Sequence, residues 1–595
     1  MKKLISIALS MALLMSSMFC LTVSADEDSP TTGSITLTKY DSSKDILTEG
    51  GKAVGGTSVE GAIFSAYKVL DLNGSAEDRN YTINSAFKAD DGTKAFELKD
   101  VIYKTDSDGN ATNGALSYGT TTALEKQISD MQRWIKDKSV PATAVKTTNQ
   151  NGVATFEELS FGVYLIVETS APDGYVINTD SFLAAVPEWN NSTQEWNCDV
   201  KAIPKNQSIQ VSKELTKSGS TTEKAKSDSY SIGDTIRYTI TATIPNYGMS
   251  AENSNKTVTQ NLLATDDGVT KYNALNLIFE DTFSTGLTFN SGSLTVTADG
   301  TELTKGDTLK EGYKTGLSST PVLGAGDYTA SIEGQKLTVT VSWAALDSYQ
   351  GKDIVLTYNA TLNENAAVGT ANTNTVTYKY KNSPNATDPQ TKTDADNVYT
   401  YQFDLTKTFN GLSATDAGVD PKSVIFEFYN GDGSYINLIR TADGEYTVWN
   451  GSTTGKTTTD ISPKADGTIS IKGLKAGQYL LQETNSTDGY TKIIQPIQIW
   501  VYEVEESDAL TARVKAHTMK YDEAAQQYVE DTDTDLAVGD SKIGVFALTV
   551  NNSKAQFNLP ITGGIGLLLF TAGGGAVMVL AVILLTYSKR KKSEK

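Results

Sequence analysis

The stretch GVYLIVETSAPDGY, residues 162–175, recurs in altered form as GQYLLQETNSTDGY, residues 477–490. Each copy places a glutamate, Glu168 or Glu483, inside an apolar run of β-forming residues and then ends in an Asp-Gly turn. Recurrence of one strand pattern at two distant places indicates that the chain repeats a structural unit. The two copies therefore predict an all-β fold.

A strand that contains a lysine precedes each copy, and a strand that leads to an asparagine follows it. The lysine strands are ITLTK, which ends at Lys39, and FDLTK, which ends at Lys407. The asparagine is Asn206 in the first unit and either Asn552 or its neighbour Asn551 in the second. Lysine, glutamate and asparagine therefore follow one another in the same order in both units.

A different unit lies between the two repeats. It begins with IQVSK, which ends at Lys213, and it contains FEDT followed by GLTF. It closes with the alternating strand NTNTVTY, which is typical of a half-buried β-strand. Lys213, Asp281 and Asn372 give the same order of residue types, and Asn374 is an alternative to Asn372.

The chain has 595 residues, which at about 150 residues per domain allows three or four folding units. Hydrophobic residues make up 39% and charged residues 21%, as expected for a globular chain with cores. The length and the repeated units predict three tandem β-sandwich domains, at 26–206, 207–395 and 396–556. The two ends, described below, add a signal peptide at 1–25 and a C-terminal segment at 557–595.

One amphipathic helix is predicted inside the first domain, over residues 123–136. Its apolar residues share one face, namely Leu124, Ile128, Met131 and Ile135. We expect an insertion that packs on the first sandwich, and a helix that binds a partner protein is the alternative.

Charge and residue types argue against several classes of function. The net charge of -20 repels phosphate backbones, so no nucleic-acid partner is expected. His517 is the single histidine, so neither a Ser/His/Asp apparatus nor a histidine metal site is expected, and no metal or cofactor is predicted. An exported carbohydrate-active enzyme is disfavoured, because no separate carboxylate pair stands in a recognisable substrate-binding framework.

Both ends of the chain carry export signals. Residues 1–25 combine a Lys-Lys start, an apolar run and the small-residue sequence VSA, as in a cleaved secretory signal. Residues 565–587 are apolar and long enough to cross about 30 Å of hydrocarbon. The basic residues 588–595 follow and predict a cytoplasmic tail.

The pentapeptide LPITG directly before that span resembles the LPxTG sorting signal of Gram-positive surface proteins. It consists of Leu559, Pro560, Ile561, Thr562 and Gly563. The resemblance implies that a sortase cysteine attacks the carbonyl of Thr562, expels the chain from Gly563 onward and passes the acyl group to an amine. Membrane anchoring would then be transient, and the mature protein would be attached to peptidoglycan.

The three ordered sets resemble the intramolecular isopeptide sites of collagen-adhesin-like domains in Gram-positive pilins and adhesins. The resemblance implies Ig-like sandwiches of B-type, A-type and B-type in chain order. It assigns Lys39, Glu168 and Asn206 to the first domain, Lys213, Asp281 and Asn372 to the middle domain, and Lys407, Glu483 and Asn552 to the third.

Burial explains why these residue types could react. A lysine in apolar surroundings loses its proton because an ammonium ion is costly there, and the neutral amine can attack an amide carbon. The same burial is expected to raise the pKa of the neighbouring carboxyl, which can then polarise the asparagine carbonyl and relay protons while ammonia leaves. Each site reacts once, so the protein is not a turnover enzyme.

The stretch WNCDVKAIPK, residues 196–205, resembles the pilin motif W-x-x-x-V-x-V-Y-P-K of polymerising major pilins. Trp196, Val200, Pro204 and Lys205 match the motif in register. The resemblance implies that the amine of Lys205 is joined to Thr562 of the next subunit. Lys201 is a rival nucleophile.

These resemblances together imply the major, shaft-forming subunit of a sortase-assembled pilus on the cell wall. The implied partners are pilin-type and housekeeping sortases, further copies of the chain in a head-to-tail polymer, minor tip or base pilins, and peptidoglycan. An adhesive target, such as host matrix or another bacterium, is left open. The alternative is a wall-anchored monomeric adhesin with the same domains.

Overall fold

The structure is a computed structural model that describes residues 31–41, 48–49, 52–53, 56–73, 80–96, 98, 102–103, 117–118, 121–177, 181–190, 195–247, 273–310, 325–384, 386–451, 457–506, 509–536, 538–542 and 544–554. The predicted signal peptide, the LPITG motif and the apolar span at 565–587 lie outside these residues. Among the described helices, none is both long and apolar enough to cross a membrane.

The chain divides into two compact units. The first runs to Tyr399 without residues 368–370, and the second comprises those three residues and the chain from Thr400 onward. In the described part of the first unit, strands before and after Ile209 belong to separate sheets. Strands dominate both units, which confirms the predicted all-β fold. The three-domain division remains a prediction.

The N-terminal part of the first unit contains strands β1 to β17. They are β1 (Thr32–Thr38), β2 (Tyr40–Asp41), β3 (Thr48–Glu49), β4 (Lys52–Ala53), β5 (Ile63–Asn73), β6 (Asn80–Ile83), β7 (Ile102–Tyr103), β8 (Ser117–Tyr118), β9 (Ala144–Thr147), β10 (Val153–Ser160), β11 (Gly162–Ser170), β12 (Tyr175–Val176), β13 (Phe182–Val186), β14 (Glu188–Asn190), β15 (Glu195–Asn197), β16 (Asp199–Ala202) and β17 (Lys205–Ser208). Helix α1 spans Thr121–Lys138, and a 3-10 helix spans Ser85–Phe87.

Two sheets enclose the core of this N-terminal part. One has the order β10-β1-β16, and the other has the order β13-β11-β5-β6, with β9 pairing with β5. Leu37 of β1, Phe64 of β5 and Tyr164 of β11 are buried in one cluster between them. A short third sheet, β12-β17-β2, places the end of this part beside its first strands.

Helix α1 covers the outer face of the second sheet. Met131 is fully buried in a second cluster with Val163 and Leu165 of β11 and with Phe87. Both faces of β11 are therefore buried, which explains why this strand is a nearly continuous apolar run. The helix packs as an insertion on the first sandwich, and it extends beyond the predicted bounds at both ends.

The remaining part of the first unit contains strands β18 to β32. They are β18 (Val211–Thr216), β19 (Lys224–Ala225), β20 (Ser227–Ser229), β21 (Thr235–Thr243), β22 (Leu277–Phe283), β23 (Leu287–Phe289), β24 (Thr295–Ala298), β25 (Thr301–Glu302), β26 (Thr308–Leu309), β27 (Ala325–Gly326), β28 (Tyr328–Glu333), β29 (Lys336–Val341), β30 (Asp353–Leu362), β31 (Asn372–Tyr380) and β32 (Gln390–Tyr399). Helix α2 spans Trp343–Leu346, and a 3-10 helix spans Asp347–Tyr349. The two main sheets have the orders β19-β18-β21-β30-β24-β25 and β20-β32-β31-β22-β29-β28.

The second unit contains strands β33 to β45. They are β33 (Tyr401–Phe409), β34 (Ile425–Asn430), β35 (Leu438–Ala442), β36 (Glu445–Val448), β37 (Thr457–Thr458), β38 (Asp460–Ile461), β39 (Thr468–Leu474), β40 (Gly477–Asn485), β41 (Ile497–Glu506), β42 (Ala509–Asp522), β43 (Gln527–Leu536), β44 (Val538–Lys542) and β45 (Val545–Asn552). Helix α3 spans Ala414–Ala417, and a 3-10 helix spans Pro421–Ser423. The two sheets have the orders β37-β35-β36-β39-β33-β45-β44 and β38-β34-β40-β41-β42-β43.

We expect Met131→Ala to lower the free energy of unfolding by about 2–5 kcal/mol, because truncation of a fully buried side chain leaves a cavity beside β11. Thermal unfolding followed by circular dichroism measures the loss. Lys126→Ala is the matched control on the same helix, since the Lys126 side chain is 69% exposed and its pair with Asp130 is worth about 0.5 kcal/mol at most. Equal stability of the two variants would contradict the packing of α1 on the sheet.

Candidate functional site

The first site brings together the three residues that the sequence predicts for it. Lys39 follows β1, Glu168 lies on β11 of the facing sheet, and Asn206 lies on β17. The Nζ of Lys39 lies 2.9 Å from Oε2 of Glu168, and Nδ2 of Asn206 donates to Oε1 at 2.7 Å. A single carboxyl group therefore contacts both the amine and the amide.

All three side chains of this site are removed from water. Burial lowers the pKa of Lys39, and the Glu168 carboxylate opposes that shift. The Phe64 ring lies 5.0 Å from Nζ. Oδ1 of Asn206 accepts no hydrogen bond from any described residue, so this carbonyl is not held by another donor. The amine, the acid and the amide thus meet in a water-excluded place.

The site in the second unit repeats this arrangement. Lys407 on β33 donates to Oδ1 of Asn552 on β45 at 2.5 Å, and its Nζ lies 3.6 Å from Oε2 of Glu483 on β40. Nδ2 of Asn552 donates to Oε1 of Glu483 at 2.5 Å and to the Ser486 hydroxyl at 2.8 Å. The lysine nitrogen is already within hydrogen-bond distance of the amide group.

Burial lowers the pKa of Lys407 to about 8, and Glu483 opposes the shift. The rings of Phe409 and Phe426 lie 5.7 and 5.8 Å from its Nζ. At neutral to slightly alkaline pH, a useful fraction of this lysine is therefore the neutral amine that can act as a nucleophile.

The two flanking sites share one strand register. In the first, β17 runs parallel to β2 and pairs Asn206 with Asp41, two residues after Lys39. In the second, β45 runs parallel to β33 and pairs Asn552 with Phe409, two residues after Lys407. Residues two apart point to the same face of a strand. In this register, the lysine and the asparagine side chains therefore point to the same face of the sheet.

A glycine turn holds the lysine backbone in both flanking sites. The N–H of Lys39 donates to the carbonyl of Gly152 at 2.8 Å, and that of Lys407 donates to the carbonyl of Gly467 at 2.7 Å. Both glycines have positive φ, at 72° and 89°, and a Cβ there would lie 2.4 and 2.7 Å from the lysine carbonyl oxygen. Only glycine fits this close approach without strain. Neither glycine is among the predicted site residues, although both turns can be seen in the sequence as Asn-Gly and Asp-Gly pairs.

Asn551, the alternative to Asn552, does not reach the buried site. Its Oδ1 accepts from the Thr408 hydroxyl at 3.2 Å and from the N–H of Gly411 at 2.8 Å, and the residue is exposed. Alternation along β45 sends the two neighbouring asparagines to opposite faces.

The middle site contains Lys213 and Asp281 together with a tyrosine that the sequence analysis missed. The Nζ of Lys213 donates to Oδ1 of Asp281 at 2.6 Å and lies 2.6 Å from the Tyr358 hydroxyl. That hydroxyl donates to Oδ2 of Asp281. Burial lowers the pKa of Lys213 and raises that of Tyr358 well above its ordinary value. A buried tyrosine on an alternating strand gives no sequence signal that distinguishes it from a core residue.

The asparagine at this site is Asn374 rather than Asn372. Nδ2 of Asn374 donates to the Tyr358 hydroxyl at 2.8 Å. The amide of Asn372 instead bonds the backbone N–H and carbonyl of Ala367 at 2.8 and 3.0 Å and the carbonyl of Val398 at 3.2 Å. Both residues point inward. The surroundings of each amide therefore decide which of the two asparagines lies at the site.

Gly286 of the GLTF segment supports the structural role of Asn372. A Cβ at position 286 would lie 2.4 Å from Oδ1 of Asn372 and 2.6 Å from Cα of Ala366. The glycine therefore lets this turn pack directly on the Asn372 amide, which leaves that amide no freedom to reach Lys213.

The middle site differs from the flanking sites in topology. Lys213 lies on β18 of one sheet, whereas Asp281 on β22 and Asn374 on β31 lie on the facing sheet. Strands β22 and β31 are neighbours, and Asn374 pairs with Phe283. A bond between Lys213 and Asn374 would therefore cross from sheet to sheet, while in the flanking sites it would join neighbouring parallel strands.

The residues matched to the pilin motif lie around β15, β16 and β17. Trp196 pairs with Trp189 in the β14–β15 hairpin, and Val200 is buried in the sandwich core. Pro204 is buried, and its carbonyl accepts from the N–H of Tyr40 at 3.3 Å. Lys205 begins β17 directly before the buried Asn206 and is half-buried, as is the rival Lys201. Thr562 lies outside the described residues.

His517 is buried on β42 and contacts Oε1 of Gln498 at 2.8 Å through Nε2. Among the described residues, no group of three or more His, Cys, Asp or Glu side chains could hold a metal ion.

Family models match three parts of the chain. The prealbumin-like fold domain of the SpaA type matches residues 126–199 and 422–516, and each match contains one of the two repeated glutamates. The LPXTG cell wall anchor motif matches residues 551–595.

The curated relatives include fimbrial and surface proteins. The chain is 24% identical over 471 residues to fimbrial subunit type 2 of Actinomyces naeslundii, with 75% of this chain and 73% of the relative covered. It is 23% identical over 506 residues to the trypsin-resistant surface T6 protein of Streptococcus pyogenes, with 74% and 81% covered.

Two solved structures of pilins are similar to this chain at low scores. The full-length major pilin SpaD from Corynebacterium diphtheriae is 20% identical with a TM-score of 0.41, and the match covers 88% of this chain and 98% of that one. The T6 backbone pilin of Streptococcus pyogenes is 15% identical with a TM-score of 0.47, and the match covers 90% and 100%.

The two asparagines of β31 can be told apart by substitution. We expect Asn372→Ala to lower the free energy of unfolding by about 1–3 kcal/mol, because it removes a buried hydrogen bond to the carbonyl of Val398 and two hydrogen bonds to the backbone of Ala367. We expect it to leave any Lys213 cross-link in place. Asn374→Ala should remove that cross-link, as measured by mass spectrometry of peptides that contain Lys213. A cross-link that persists in Asn374→Ala and disappears in Asn372→Ala would reverse the assignment.

Proposed function

We propose that this chain, which is anchored to the cell wall and exposed on the surface, is the shaft-forming major pilin of a Gram-positive pilus. In the proposal, sortase joins Thr562 of one subunit to Lys205 of the next, and three internal lysine–asparagine isopeptide bonds stabilise each subunit. One observation carries the internal chemistry: in both flanking sites, a buried amine, carboxyl and amide meet within 2.5 to 3.6 Å.

The proposed reaction in the flanking sites uses one carboxyl for both partners. The glutamate takes a proton from the lysine, whose pKa burial has lowered. The neutral Nζ attacks Cγ of the asparagine, the protonated carboxyl donates to the amide, and the bond from Cγ to Nδ2 breaks. One Cγ–Nζ bond forms and one ammonia leaves, so the site cannot react again.

The geometry of the flanking sites supports this reaction because little movement is needed. Nζ of Lys407 already lies 2.5 Å from Oδ1 of Asn552, and Glu483 touches both groups. In solution, the entropy cost of bringing the reactants together is a large part of the activation barrier. Positioning of this kind removes much of that cost. The buried setting also keeps water from competing for the carboxyl.

The three bonds would close loops that span most of each domain. By analogy with disulfides that close long loops, each could add roughly 4 to 5 kcal/mol through the unfolded chain. In a polymer, force would enter at Lys205 and leave at Thr562. Two of the bonds would bear that force, namely Lys213 to Asn374 and Lys407 to Asn552. The strands between the linked residues would then not be pulled apart.

Lys205 is a suitable acceptor for the sortase-held acyl group because it stands where the first domain ends. Its neighbour Asn206 is held inside by Glu168, so strand alternation turns the Lys205 side chain the other way. The implied partners are pilin-type and housekeeping sortases, further copies of the chain, minor tip or base pilins and peptidoglycan. The protein itself is a sortase substrate, and its internal sites react once.

The internal bonds predict a mass difference. We expect the intact protein to be lighter than its sequence by three ammonia molecules, and Glu168→Ala and Glu483→Ala each to restore one of them. Each variant should also lose roughly 4 to 5 kcal/mol of stability. Intact-mass spectrometry measures the first effect and chemical denaturation the second.

Glu445→Ala is the matched control, because Glu445 is an exposed strand residue of the second unit. It should keep all three losses. An unmodified mass for the parent chain would contradict the internal bonds altogether.

The sortase linkage predicts a loss of polymer from one lysine. We expect Lys205→Arg to abolish the high-mass ladder of wall extracts on a denaturing gel, because arginine keeps the charge but stays protonated and cannot attack the acyl group. Folding and wall attachment of the monomer should survive. Lys201→Arg is the matched control and should keep the ladder.

A full ladder from Lys205→Arg would move the acceptor to Lys201 or to another amine. A parent chain that gives one band, in cells with a pilin-type sortase, would favour the monomeric adhesin instead.

A further inference from the structure

The middle site has a second buried carboxyl, that of Asp396 on β32. The residue is completely buried, and neither carboxylate oxygen has a hydrogen-bond partner among the described residues. Strands β31 and β32 are antiparallel neighbours, and Asp396 stands directly opposite Asn374. Residues opposite one another in such a pair point to the same face, with Cβ atoms about 4.5–5.5 Å apart.

The amide of Asn374, on the same side of the sheet, has an oxygen that accepts no hydrogen bond from the described residues. Nδ2 donates to the Tyr358 hydroxyl, but Oδ1 has no hydrogen-bond partner among the described residues. Two buried acceptors without a donor, on directly opposed residues, are unfavourable, and a proton shared between them would remove that cost. The buried Tyr238 hydroxyl, which also has no hydrogen-bond partner among the described residues, interacts electrostatically with Asp396. A protonated Asp396 would supply that proton and donate to Oδ1 of Asn374.

The charged groups around Asp396 act in opposite directions on its protonation. The Nζ of Lys226 lies 3.8 Å from Oδ1 of Asp396. Lys213 and Lys226 favour the charged carboxylate, whereas Asp394 and Asp281 oppose it. Burial outweighs these effects and raises the pKa of Asp396 to about 7.

The middle site differs from the flanking sites in how the acid meets the amide. Glu168 and Glu483 each accept from the asparagine amide directly. Asp281 instead accepts from Lys213 through Oδ1 and from Tyr358 through Oδ2, so the tyrosine stands between this acid and the amide of Asn374. Asp281 is placed to take a proton from the amine, but it is not placed to polarise the carbonyl.

We propose that Asp396, in its protonated form, is a second catalytic acid of the middle site and polarises the carbonyl of Asn374 during isopeptide formation. This inference rests on the internal cross-link proposed above. Asp281 takes one proton from the ammonium group of Lys213, and the neutral Nζ attacks Cγ of Asn374. Asp396 donates a hydrogen bond to the oxygen as negative charge develops there.

The step balances within the site. The Cγ–Nζ bond forms, the Cγ–Nδ2 bond breaks, and the leaving nitrogen takes one proton from Nζ and one from Asp281 to depart as ammonium. Asp396 keeps its own proton, and Asp281 returns to the carboxylate. The acids therefore have separate functions, one as the base for the amine and the other as the donor to the carbonyl.

The test follows bond formation in the full-length chain after cell-free synthesis. The fraction of Lys213 linked to Asn374 is measured over time by mass spectrometry of the linked peptide. We expect Asp396→Leu, which has no donor, to slow the linkage at least about tenfold. Asp396→Asn keeps a neutral N–H donor and should still react.

A pH series distinguishes a catalytic acid from a packing residue. The ratio of the parent rate to the Asp396→Asn rate should fall as the pH rises through about 7, because only the parent chain loses a donor there. Lys213 is present in both chains, and the charge of Asp396 affects the pKa of Lys213 less than burial and Asp281 do, so the ratio reports mainly on the donor. Asp353→Asn is the matched control, because Asp353 is an exposed residue at the start of β30. The ratio of the parent rate to the Asp353→Asn rate should not change as the pH rises through about 7.

The outcomes separate this inference from the proposed function. A parent chain with no Lys213–Asn374 peptide would contradict the cross-link itself. A parent chain that forms the bond, with Asp396→Leu equally fast or with a parent to Asp396→Asn ratio that does not change with pH, would overturn the role of Asp396 alone. If Asp396→Leu fails to fold, the ratio for Asp396→Asn decides.

Discussion

Burial of a lysine amine is the constraint on which the rest of each sandwich depends. Lys39, Lys213 and Lys407 are fully buried, and a charged ammonium ion in that place is costly without close partners. The strands therefore have to bring a carboxyl group and an amide to the same point. Burial lowers the pKa of each of these lysines, even against the neighbouring carboxylate. The burial that excludes water from the amine thus also favours its neutral form.

The chain meets this constraint in two ways. In the flanking sites, lysine and asparagine lie on neighbouring parallel strands, and one glutamate from the facing sheet touches both. In the middle site, the lysine faces an acid and an amide on the other sheet, and the Tyr358 hydroxyl lies between them. One carboxyl contacts both reactants in the first arrangement. The second arrangement distributes the contacts over more residues, which is why it carries more buried polar groups.

The three sites lie inside the sandwiches, where their side chains are buried. The matches to prealbumin-like domains and to the cell wall anchor motif place the chain on the cell wall, and curated relatives include fimbrial subunits. The net charge of -20 disfavours association with nucleic acid. Helix α1 adds to the first sandwich without disturbing the buried site, since it covers the opposite face of the sheet that carries Glu168.

The sequence by itself determined the all-β fold, the helix that carries Met131 and the residue types of the three sites. Alternating and apolar strand patterns, an Asp-Gly turn and a helical period are local properties, so they can be read from one segment at a time. Only the tertiary structure decided between Asn372 and Asn374, because both point inward from one strand and differ only in which loop or tyrosine each amide meets. It also revealed Tyr358 and Asp396 beside Lys213. Their positions depend on strands far apart in the chain, which pair and pack in ways that no local pattern specifies.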